Sequence, residues 1–419
     1  MSNLSATDQC VMCGLCLPHC PTYEETRDEG ESPRGRIALM QALQAGTLKD
    51  NARLALHLER CLGCRACEAM CPSQVPFGAL MDQARQVLHN NNVGSKRWLH
   101  RVIADGLVSH PERLRVATRL LRFYQRSGLR FLARRSGLLS LLGAQRLDQL
   151  LPDLAPVGRW RSYYPAVTAE RGQVALFLGC IAQMVDTETH TSAIRILNQF
   201  GYGVHIPQGQ SCCGALQQHD GRLQAARRLA QTNLIAFQNL EVDAILSTAS
   251  GCGAQLAEYS RMGFAEPRLA QQAAAFSGRV QDISAFLAGM DWPAGVEFAP
   301  LPARVAVHEP CTLRNVLKQG NAPHRLLQCI PEIELLSIAD KGDCCGAAGS
   351  YFLTQPGMAD RLLKHRLDAL EKVRPDLVTT ANVGCALYLQ AGLRQRKLTL
   401  EVIHPVVLID RQLRNPGAD

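Results

Sequence analysis

The 419-residue chain has no long apolar run, and this absence excludes whole classes of protein. No uncharged apolar stretch reaches the roughly 18 residues that a membrane-spanning helix needs. The first nine residues also lack the basic stretch followed by an apolar run that marks an export signal. We therefore expect neither export nor a membrane span. The expected location is the cytoplasm, with peripheral contact to the inner membrane left open.

Aromatic residues and nucleotide-binding motifs are also scarce. Phe, Trp and Tyr make up 5% of the chain, and they do not line up with its basic stretch as a base-stacking platform would require. We therefore expect no nucleic-acid partner. The chain has no Gly-x-Gly-x-x-Gly fingerprint and no clear nucleophile with its base. We expect substrate oxidation to take place on another subunit and assign no catalytic residue here.

Cysteine, by contrast, is abundant, with seventeen residues in a chain that is 47% hydrophobic. Cytosolic thiols stay reduced, so this many cysteines in a chain without an export signal indicate metal binding rather than a disulfide framework. The length and the apolar content allow two to four globular domains.

Eight of these cysteines form two runs with the same spacing. The runs are Cys10-x2-Cys13-x2-Cys16-x3-Cys20-Pro21 and Cys61-x2-Cys64-x2-Cys67-x3-Cys71-Pro72. In such runs the first three thiolates hold one 4Fe-4S cluster and the fourth ligates the other. The assignment for the first cluster is Cys10, Cys13, Cys16 and Cys71, and for the second Cys61, Cys64, Cys67 and Cys20. Zinc knuckles do not explain a third and fourth cysteine at this spacing, so we expect electron transfer.

The second half of the chain is an internal repeat. Three blocks recur in the same order at offsets of 131 to 133 residues. They are the strand-like runs that end at Cys180 and Cys311, the Cys-Cys-Gly-Ala runs that begin at Cys212 and Cys344, and the runs that end at Cys252 and Cys385. Three blocks in register indicate a duplicated domain.

Each copy alternates apolar strands with helices, which predicts a parallel sheet covered on both faces. Strands are predicted at residues 174–178, 203–206 and 244–248, and again at 305–308, 333–338 and 377–380. The main helices are predicted at 191–200, 221–240 and 358–371. Loops beyond the carboxyl ends of such strands bind ligands, so the four cysteines of each copy are expected to converge on one site.

The repeated cysteines have two interpretations. Adjacent thiolates can ligate different irons of a cluster or react as a redox pair, and the glycine that follows lets the backbone approach. Alternatively they are small core residues, which the repetition argues against. The candidate cluster or redox residues are Cys180, Cys212, Cys213 and Cys252 in the first copy, and Cys311, Cys344, Cys345 and Cys385 in the second.

Between the runs and the repeat lies a basic segment. Residues 95–163 hold fourteen Lys and Arg against four Asp and Glu, a net charge of +10. Apolar residues interleave with the arginines at helical spacing. Docking on an anionic membrane or an acidic partner is one interpretation. We favour the other, a linker whose apolar face packs on the domains while its arginines are solvated.

These observations predict a multidomain chain with four parts. An α-helical, ferredoxin-like domain with two 4Fe-4S clusters occupies residues 1–94, and a basic helical linker occupies 95–171. Two duplicated α/β domains with parallel sheets follow, which we call copy one (172–300) and copy two (301–419).

The same residues resemble a known family. The two N-terminal runs with two Cys-Cys-Gly domains resemble the iron-sulfur subunit of bacterial glycolate oxidase (glycolate dehydrogenase). Beyond the cysteines, the match includes Cys20-Pro-Thr-Tyr23, Pro33-Arg-Gly-Arg36, Thr248-Ala-Ser-Gly-Cys-Gly253, Pro310-Cys-Thr-Leu313 and Thr380-Ala-Asn-Val-Gly-Cys385. The Cys-Cys-Gly domain is also similar to that of heterodisulfide reductases and lactate-utilisation proteins.

This resemblance implies an electron-transfer subunit of a glycolate dehydrogenase complex. It implies FAD on a partner dehydrogenase subunit and a quinone or other membrane acceptor, with neither NAD nor oxygen in that role. The alternatives are the same relay for D-lactate or 2-hydroxyglutarate, a disulfide reductase, or a redox-sensing scaffold. The heterodisulfide reductase pattern ends each motif in Cys-x-x-Cys, and here that last position is Gln255 or Tyr388. The fifth thiolate is therefore missing twice, which counts against the disulfide reductase.

A few other residues are weaker candidates. Ser32 and Pro33 are typical of a helix start, which would place Arg34 and Arg36 near cluster sulfurs or a neighbouring loop. His219, His308 and His404 are each interpreted as hydrogen-bonded structural residues, because lone histidines more often are.

Overall fold

The computed structural model describes residues 4–49, 51–93, 104–338 and 344–414. Lys96, Arg97 and Arg101 of the basic segment, and Asp343 before the second Cys-Cys-Gly run, lie outside these ranges. Within them, no helix has the length and apolar character needed to cross a membrane.

The N-terminal region is helical, and no strand occurs in its described residues. Its helices are α1 (Pro21–Thr26), α2 (Pro33–Gln44), α3 (Ala52–Glu59), α4 (Ala66–Ala69) and α5 (Phe77–Asn90). The predicted start of α2 is confirmed: the Gly35 amide donates to Ser32 Oγ at 2.9 Å, and Pro33 occupies the first turn. Met40, Leu58 and Leu80 lie in the small core, together with Cys61 and Cys67.

The linker is helical, as the amphipathic pattern predicted. Its helices are α6 (Pro111–Arg126), α7 (Leu129–Arg135), α8 (Leu138–Leu141) and α9 (Gln145–Leu150). Buried Asp148 holds them together, because it accepts hydrogen bonds from Tyr124 and ion-pairs with Arg130 and Arg134.

The favoured interpretation of the linker, an apolar face packed on the domains, is wrong for most of its leucines. Leu114 is buried, but Leu120, Leu121, Leu132 and Leu142 are exposed. The physical reason is that ion pairs, and not leucine packing, make the linker contacts at Asp148 and Asp360, so these leucines stay exposed. The ion pairs to Asp148 join its helices, and Arg146 on α9 pairs with Asp360 of copy two at 2.8 Å.

Copy one has a five-stranded sheet, and the predicted start of this domain at residue 172 is wrong, because the first strand comes from the predicted linker and pairs with the third. Its strands are β1 (Tyr163–Tyr164), β2 (Gly172–Phe177), β3 (Tyr202–His205), β4 (Ala244–Ser247) and β5 (Val280–Asp282). Their order is β1-β3-β2-β4-β5, with β1 antiparallel to β3 and the others parallel. The helices are α10 (Ala182–Val185), α11 (Thr187–Gln199), α12 (Ala215–His219), α13 (Leu223–Phe237), α14 (Ser250–Ala257), α15 (Pro267–Gly278) and α16 (Ile283–Gly289).

Copy two has a four-stranded, fully parallel sheet. Its strands are β6 (Arg304–His308), β7 (Glu334–Ser337), β8 (Leu377–Thr380) and β9 (Glu401–Ile403), in the order β7-β6-β8-β9. The helices are α17 (Cys311–Asn315), α18 (Ala322–Leu327), α19 (Tyr351–Thr354), α20 (Pro356–Val373), α21 (Val383–Gln395) and α22 (Pro405–Gln412). The predicted parallel sheets and the six predicted strands are confirmed, whereas β1, β5 and β9 were not predicted.

The two copies share one hydrophobic core. Val174 and Leu176 of β2 belong to the same buried cluster as Val305 and Val307 of β6. Helix α11 of copy one packs on α22 of copy two, and α16 packs on α18. Each sheet therefore turns one face to the other copy, while its second face covers the cysteines of its own copy.

Candidate functional site

The cysteines of the N-terminal region surround two clefts. The first cleft, about 450 Å³, is lined by Cys10, Cys13, Cys16 and Cys71, and also by Cys67. Gly14 turns its loop with φ +84°, a left-handed conformation that favours glycine. Arg34 supports the same loop by donating to the Met12 carbonyl oxygen at 3.3 Å. We call the first four cysteines cluster site 1.

The second cleft, about 310 Å³, lies beside the first. It is lined by Cys20, Cys61, Cys64 and Cys67, which we call cluster site 2. The structure thus places the fourth cysteine of each run among the cysteines of the other run. Because Cys67 lines both clefts, the two sites are immediate neighbours.

Arg36 is a buried cation next to cluster site 2. Its side chain is 1% exposed, ion-pairs with Glu31 at 2.7 Å and lies 3.9 Å from Cys20 Sγ. Burial opposes its charge, but the negative charges of Cys61, Cys20 and Glu31 outweigh burial and raise the pKa of Arg36. A cation fixed here favours thiolate over thiol at the site.

Gly35 makes this placement possible. A Cβ atom at Gly35 would overlap the carbonyl oxygen of Glu29. Only glycine therefore lets the first turn of α2 lie close enough to bring Arg36 against Cys20. This is the physical reason for the Pro-Arg-Gly-Arg sequence.

In copy one the four repeated cysteines meet at the carboxyl edge of the sheet. Cys180 lies 3.6 Å from Cys212 between sulfur atoms, Cys212 contacts Cys213, and Cys213 contacts Cys252. Cys180, Cys212 and Cys213 are buried in the core under β2. We call these four the copy-one thiol site.

Copy two repeats this chain of contacts. Cys311 contacts Cys344, Cys344 contacts Cys345, and Cys345 lies 2.9 Å from Cys385 between sulfur atoms. Asn382 adds a donor that points at the Cys385 sulfur from 3.3 Å. These four cysteines form the copy-two thiol site.

The glycine of each Cys-Cys-Gly run has a structural reason. Gly214 and Gly346 have φ values of +88° and +82°, in the left-handed region. Their amides donate to Cys212 Sγ at 3.5 Å and Cys344 Sγ at 3.4 Å. Donation from Cys180, Cys213 and this amide holds the pKa of Cys212 well below its usual range, and Cys344 has the corresponding donors. The first cysteine of each pair is therefore the preferred thiolate.

The two positions that lack the fifth thiolate are engaged elsewhere. Gln255 is buried and donates to Gln218 Oε1 at 2.8 Å. Tyr388 is buried and donates to Asp360 Oδ1 at 2.7 Å. Both residues thus support the domain structure and do not take the place of a thiolate.

Copy two is joined directly to cluster site 2. The Asn315 side chain donates to the Cys64 carbonyl oxygen at 2.8 Å, and Tyr351 donates to the Arg60 carbonyl oxygen at 2.9 Å. Burial, together with the nearby charge of Cys344, raises the pKa of Cys64. Asn315 and Cys311 lie on the same helix, α17, so the hydrogen bond to Cys64 brings the helix that begins at the copy-two thiol site against the second cysteine run.

Copy one meets the same region through other groups. Gln218 on α12 donates to Asp82 on α5 at 2.6 Å, and Arg65 ion-pairs with Glu258. The two copies also meet at their strand ends. There the Ser250 amide donates to the Ala381 carbonyl at 3.0 Å, and its hydroxyl lies 2.9 Å from Thr312 Oγ1.

The four sites therefore follow one another through the molecule. Cluster site 1 adjoins cluster site 2, Asn315 of α17 bonds to the Cys64 backbone, and Ser250 and Thr312 join the two helices that carry Cys252 and Cys311. Two sets of four thiols around adjoining clefts fit the donor chemistry of 4Fe-4S clusters. Asn315, Tyr351 and Asn382 were not predicted as site residues, because no local sequence pattern marks an asparagine or a tyrosine whose partner is set by the fold.

Three family models match consecutive parts of the chain. Residues 6–75 match a 4Fe-4S dicluster domain, and residues 95–151 match the linker region of the glycolate oxidase iron-sulfur subunit. A cysteine-rich domain matches twice, at residues 174–257 and 305–390. The second match is the duplication seen in the sequence and in the two sheets.

The chain is also similar to proteins matched over nearly its full length. A probable glycolate oxidase iron-sulfur subunit of Bacillus subtilis is 35% identical, over 97% of this chain and 94% of that protein. The glycolate oxidase iron-sulfur subunit of Escherichia coli is 30% identical, over 94% and 92%. Lactate utilization protein A of Oceanobacillus iheyensis is 25% identical, over 55% of this chain and 94% of that protein.

Proposed function

Because the chain belongs to the family of glycolate oxidase iron-sulfur subunits, we propose that it carries electrons from a separate flavoprotein toward a quinone. The relatives' names make glycolate the first substrate to test, with FAD and the oxidation of the acid on the partner. The observation that supports the proposal most is the succession of cysteine sites: cluster site 1 adjoins cluster site 2, and α17 of copy two, which begins at Cys311, bonds to the Cys64 backbone.

The ligands proposed for the two N-terminal clusters follow the interleaved pattern. Cys10, Cys13, Cys16 and Cys71 would hold one 4Fe-4S cluster, and Cys20, Cys61, Cys64 and Cys67 the other. Such clusters supply one-electron oxidation and reduction. The four thiols of a Cys-Cys-Gly copy can hold a further cluster, and copy two is the better placed because it adjoins Cys64.

Residues around the cysteine sites supply positive charge or hydrogen-bond donors that stabilise negative thiolates. Arg36 places a fixed positive charge against cluster site 2, and the Gly214 and Gly346 amides donate hydrogen bonds to Cys212 in the copy-one thiol site and to Cys344 in the copy-two thiol site. The bound thiolates are negative, so these donors stabilise them and tune the potential of the site. Burial of Cys212, Cys213, Cys344 and Cys345 excludes water.

The proposed reaction joins two-electron chemistry at both ends to one-electron sites between them. A 2-hydroxy acid loses two electrons and two protons to the flavin of the partner. That flavin would supply the electrons one at a time, and a quinone acceptor would take up two electrons with two protons. A chain of one-electron sites is the element that joins these two-electron reactions.

We also propose that the exposed linker face contacts the membrane in which the quinone is dissolved. Val116, Leu120 and Phe123 form one outward stripe on α6, beside Arg119. The later helices add Phe131 and Leu141, which are 64% and 84% exposed. Arg119, Arg126 and Arg135 have no ion pair within the described residues. Exposed Phe and Leu among free cations are typical of a surface that lies in an anionic lipid interface.

Vesicle flotation tests this contact. The variant Phe123→Ser, Phe131→Ser, Leu141→Ser should lose binding to vesicles of phosphatidylglycerol and phosphatidylethanolamine, and raised salt should weaken the wild-type binding. The control is Ile235→Ser with Val167→Ser, which removes exposed apolar residues outside the linker helices α6 to α9. Equal flotation of wild type and linker variant would exclude the membrane contact.

Reduction of a disulfide is the alternative from another class, and the structure gives it less support. The copy-one and copy-two thiol sites are largely buried, and the two closing positions, Gln255 and Tyr388, bond elsewhere. A relay for lactate rests on the relative that covers 55% of this chain, against 97% and 94% for the glycolate oxidase relatives.

Anaerobic purification with the natural partners tests the relay itself. Two N-terminal clusters predict roughly eight irons, and a further cluster about twelve. Their EPR signals should appear when glycolate is added and only when the flavoprotein is present. Signals that respond to a disulfide but not to glycolate would contradict the relay and favour the alternative.

A further inference from the structure

Copy two has a histidine at a position where copy one has a phenylalanine. His308 is the last residue of β6 and pairs with Thr380 of β8. Phe177 ends β2 in the same way and pairs with Ser247 of β4. The two positions are equivalent in the repeat and in the sheet register. The backbone arrangement is thus the same at both, and the side chain beside the thiols is what differs.

The histidine lies among the thiols of copy two. A ring nitrogen of His308 and the sulfur atoms of Cys345 and Cys385 all lie within 4.8 Å of one another, and all three side chains are buried. His308 Nδ1 is 2.9 Å from Thr380 Oγ1. This geometry brings an imidazole to the distance at which one metal centre can engage all three residues.

Copy one has no counterpart to this arrangement. Phe177 packs its ring against Phe237, with centroids 6.4 Å apart, and it offers no donor to a metal. Ser247, the counterpart of Thr380, donates instead to the Ala249 carbonyl oxygen at 3.0 Å. The hydroxyl that orients the imidazole in copy two thus has a local backbone partner in copy one.

We infer that His308 is a ligand of an iron-sulfur cluster in copy two, with Cys311, Cys344, Cys345 and Cys385 as the thiolate ligands. The inference rests on the proposed function, because it requires a cluster in that copy. His308 then supplies a fifth protein ligand at a site whose closing thiolate is replaced by Tyr388.

Thr380 has the role of an orienting partner in this site. Histidines that ligate metals usually engage their other ring nitrogen in a hydrogen bond, which fixes the ring and its tautomer. With Nδ1 facing Thr380, Nε2 is the nitrogen assigned to the cluster.

A neutral imidazole changes the properties of the cluster in a known direction. Replacing thiolate by histidine lowers the negative charge of a cluster and raises its reduction potential. The copy-two cluster should therefore be easier to reduce than the five-thiolate cluster that the variant His308→Cys would have.

Pulsed EPR on protein labelled with ¹⁵N only in histidine tests the inference. The reduced wild-type protein should show a directly coupled ¹⁵N nucleus on one cluster signal. His308→Phe, which copies copy one, should lose that coupling. His308→Cys should keep the iron content of the wild type, lose the coupling and shift the copy-two signal to more negative potential, because a thiolate then replaces a neutral imidazole.

The control uses a histidine that lines one of the N-terminal cluster sites. His19 lines the cleft of cluster site 2, so His19→Gln should leave the coupling and the potential of the copy-two signal unchanged. The labelled wild type gives its answer even if His308→Phe does not fold.

The two ways in which the inference can fail are distinguishable. About twelve irons without a coupled histidine nitrogen would overturn the role of His308 and leave the relay standing. About eight irons would mean that copy two holds no cluster, and this would overturn the inference while leaving the two N-terminal clusters of the relay in place.

Discussion

Copy one and copy two have the same fold and the same four cysteines, but their thiols have different surroundings. Phe177 in copy one is replaced by His308 in copy two, and Ala249 is replaced by Asn382, which donates to a cysteine sulfur. Copy two also has Cys64 as an electrostatic neighbour. The two copies have thus kept the fold and the four cysteines but differ in the side chains around the thiols. This difference indicates unequal roles for the two copies.

The largest expected effect comes from removing one thiol in each copy. Cys344→Ala should reduce glycolate-dependent quinone reduction to near background, because it removes the ligand beside Cys64. Cys212→Ala, the equivalent change in copy one, should leave a measurable rate. Stopped-flow kinetics with the flavoprotein present would measure both, and reduction of the N-terminal clusters should persist in each. Equal loss in the two variants would contradict the unequal roles.

The helices that follow the last strand of each copy have caps that titrate in opposite directions. Asp282 Oδ1 accepts from the Ser284 amide at 2.8 Å, and burial raises the pKa of Asp282 from 3.8 to about 7. His404 Nδ1 accepts from the Val406 amide at 3.0 Å. Burial, and then the neighbouring His190, lower the pKa of His404 from 6.5 to about 3. The capping role confirms the structural interpretation of His404.

These shifts predict opposite pH dependences of stability. The raised pKa of Asp282 gives stability that is present below pH 3.8 and is lost as the pH rises through 7. The lowered pKa of His404 gives stability that is present above pH 6.5 and is lost as the pH falls toward 3.

Asparagine variants separate the two caps. Asp282→Asn should remove the fall in the free energy of unfolding on the alkaline side, and His404→Asn should remove the fall on the acid side. Each change should amount to about 2–4 kcal/mol. Anaerobic chemical denaturation between pH 4.5 and 8.5 would measure the changes. Asp153→Asn, at an exposed position, is the control and should leave the pH profile unchanged. Parallel profiles for wild type and both asparagine variants would contradict the assignment.

The glycines of the two Cys-Cys-Gly runs should differ in their tolerance of a side chain. A Cβ at Gly346 would lie 2.5 Å from the Ala359 carbonyl oxygen, whereas one at Gly214 would lie 3.2 Å from that of Ala226. Both substitutions by alanine should cost about 1–2 kcal/mol for the left-handed backbone. Gly346→Ala should cost more, because the carbonyl of α20 must move. Equal free energies of unfolding would contradict this difference in packing.

The smallest expected effect is that of Asn382→Ala, which makes this position in copy two like copy one. Losing the donor to Cys385 should cost about 0.5–1.5 kcal/mol and shift the copy-two potential to more negative values. Potentiometric EPR titration would detect the shift. The reciprocal control Ala249→Asn tests whether a donor at this position has the same effect in copy one. An unchanged potential in Asn382→Ala would mean that this hydrogen bond does not tune the site.

Much of the fold and of the candidate sites could be predicted from local sequence. Apolar runs such as Leu377–Thr380 mark buried parallel strands, and here the predicted and observed limits coincide. Short edge strands such as β5 (Val280–Asp282) were missed, because three residues give no periodicity. Cysteine spacing predicted the interleaved runs, and the structure places Cys20 and Cys71 accordingly. The ligand assignments stay predictions.

Contacts between distant parts of the chain could not be predicted in this way. Cys64 and Cys344 are 280 positions apart, and no local pattern brings them together. His308 was interpreted as structural, because a single histidine in a strand carries no signal. Its position became informative only once the sheet register set it beside Phe177 and the thiols around it were known.

The core shared by the two sheets also has a consequence for how this chain arose. Neither sheet has a complete apolar interior without the other, since Val174 and Leu176 pack in one cluster with Val305 and Val307. A single-copy ancestor would have exposed that face unless it formed a homodimer, and gene fusion would then have joined the two subunits. Fusion lets each half mutate separately, which a symmetric dimer forbids. In a fused chain one half can therefore carry a histidine where the other carries a phenylalanine, as at His308 and Phe177.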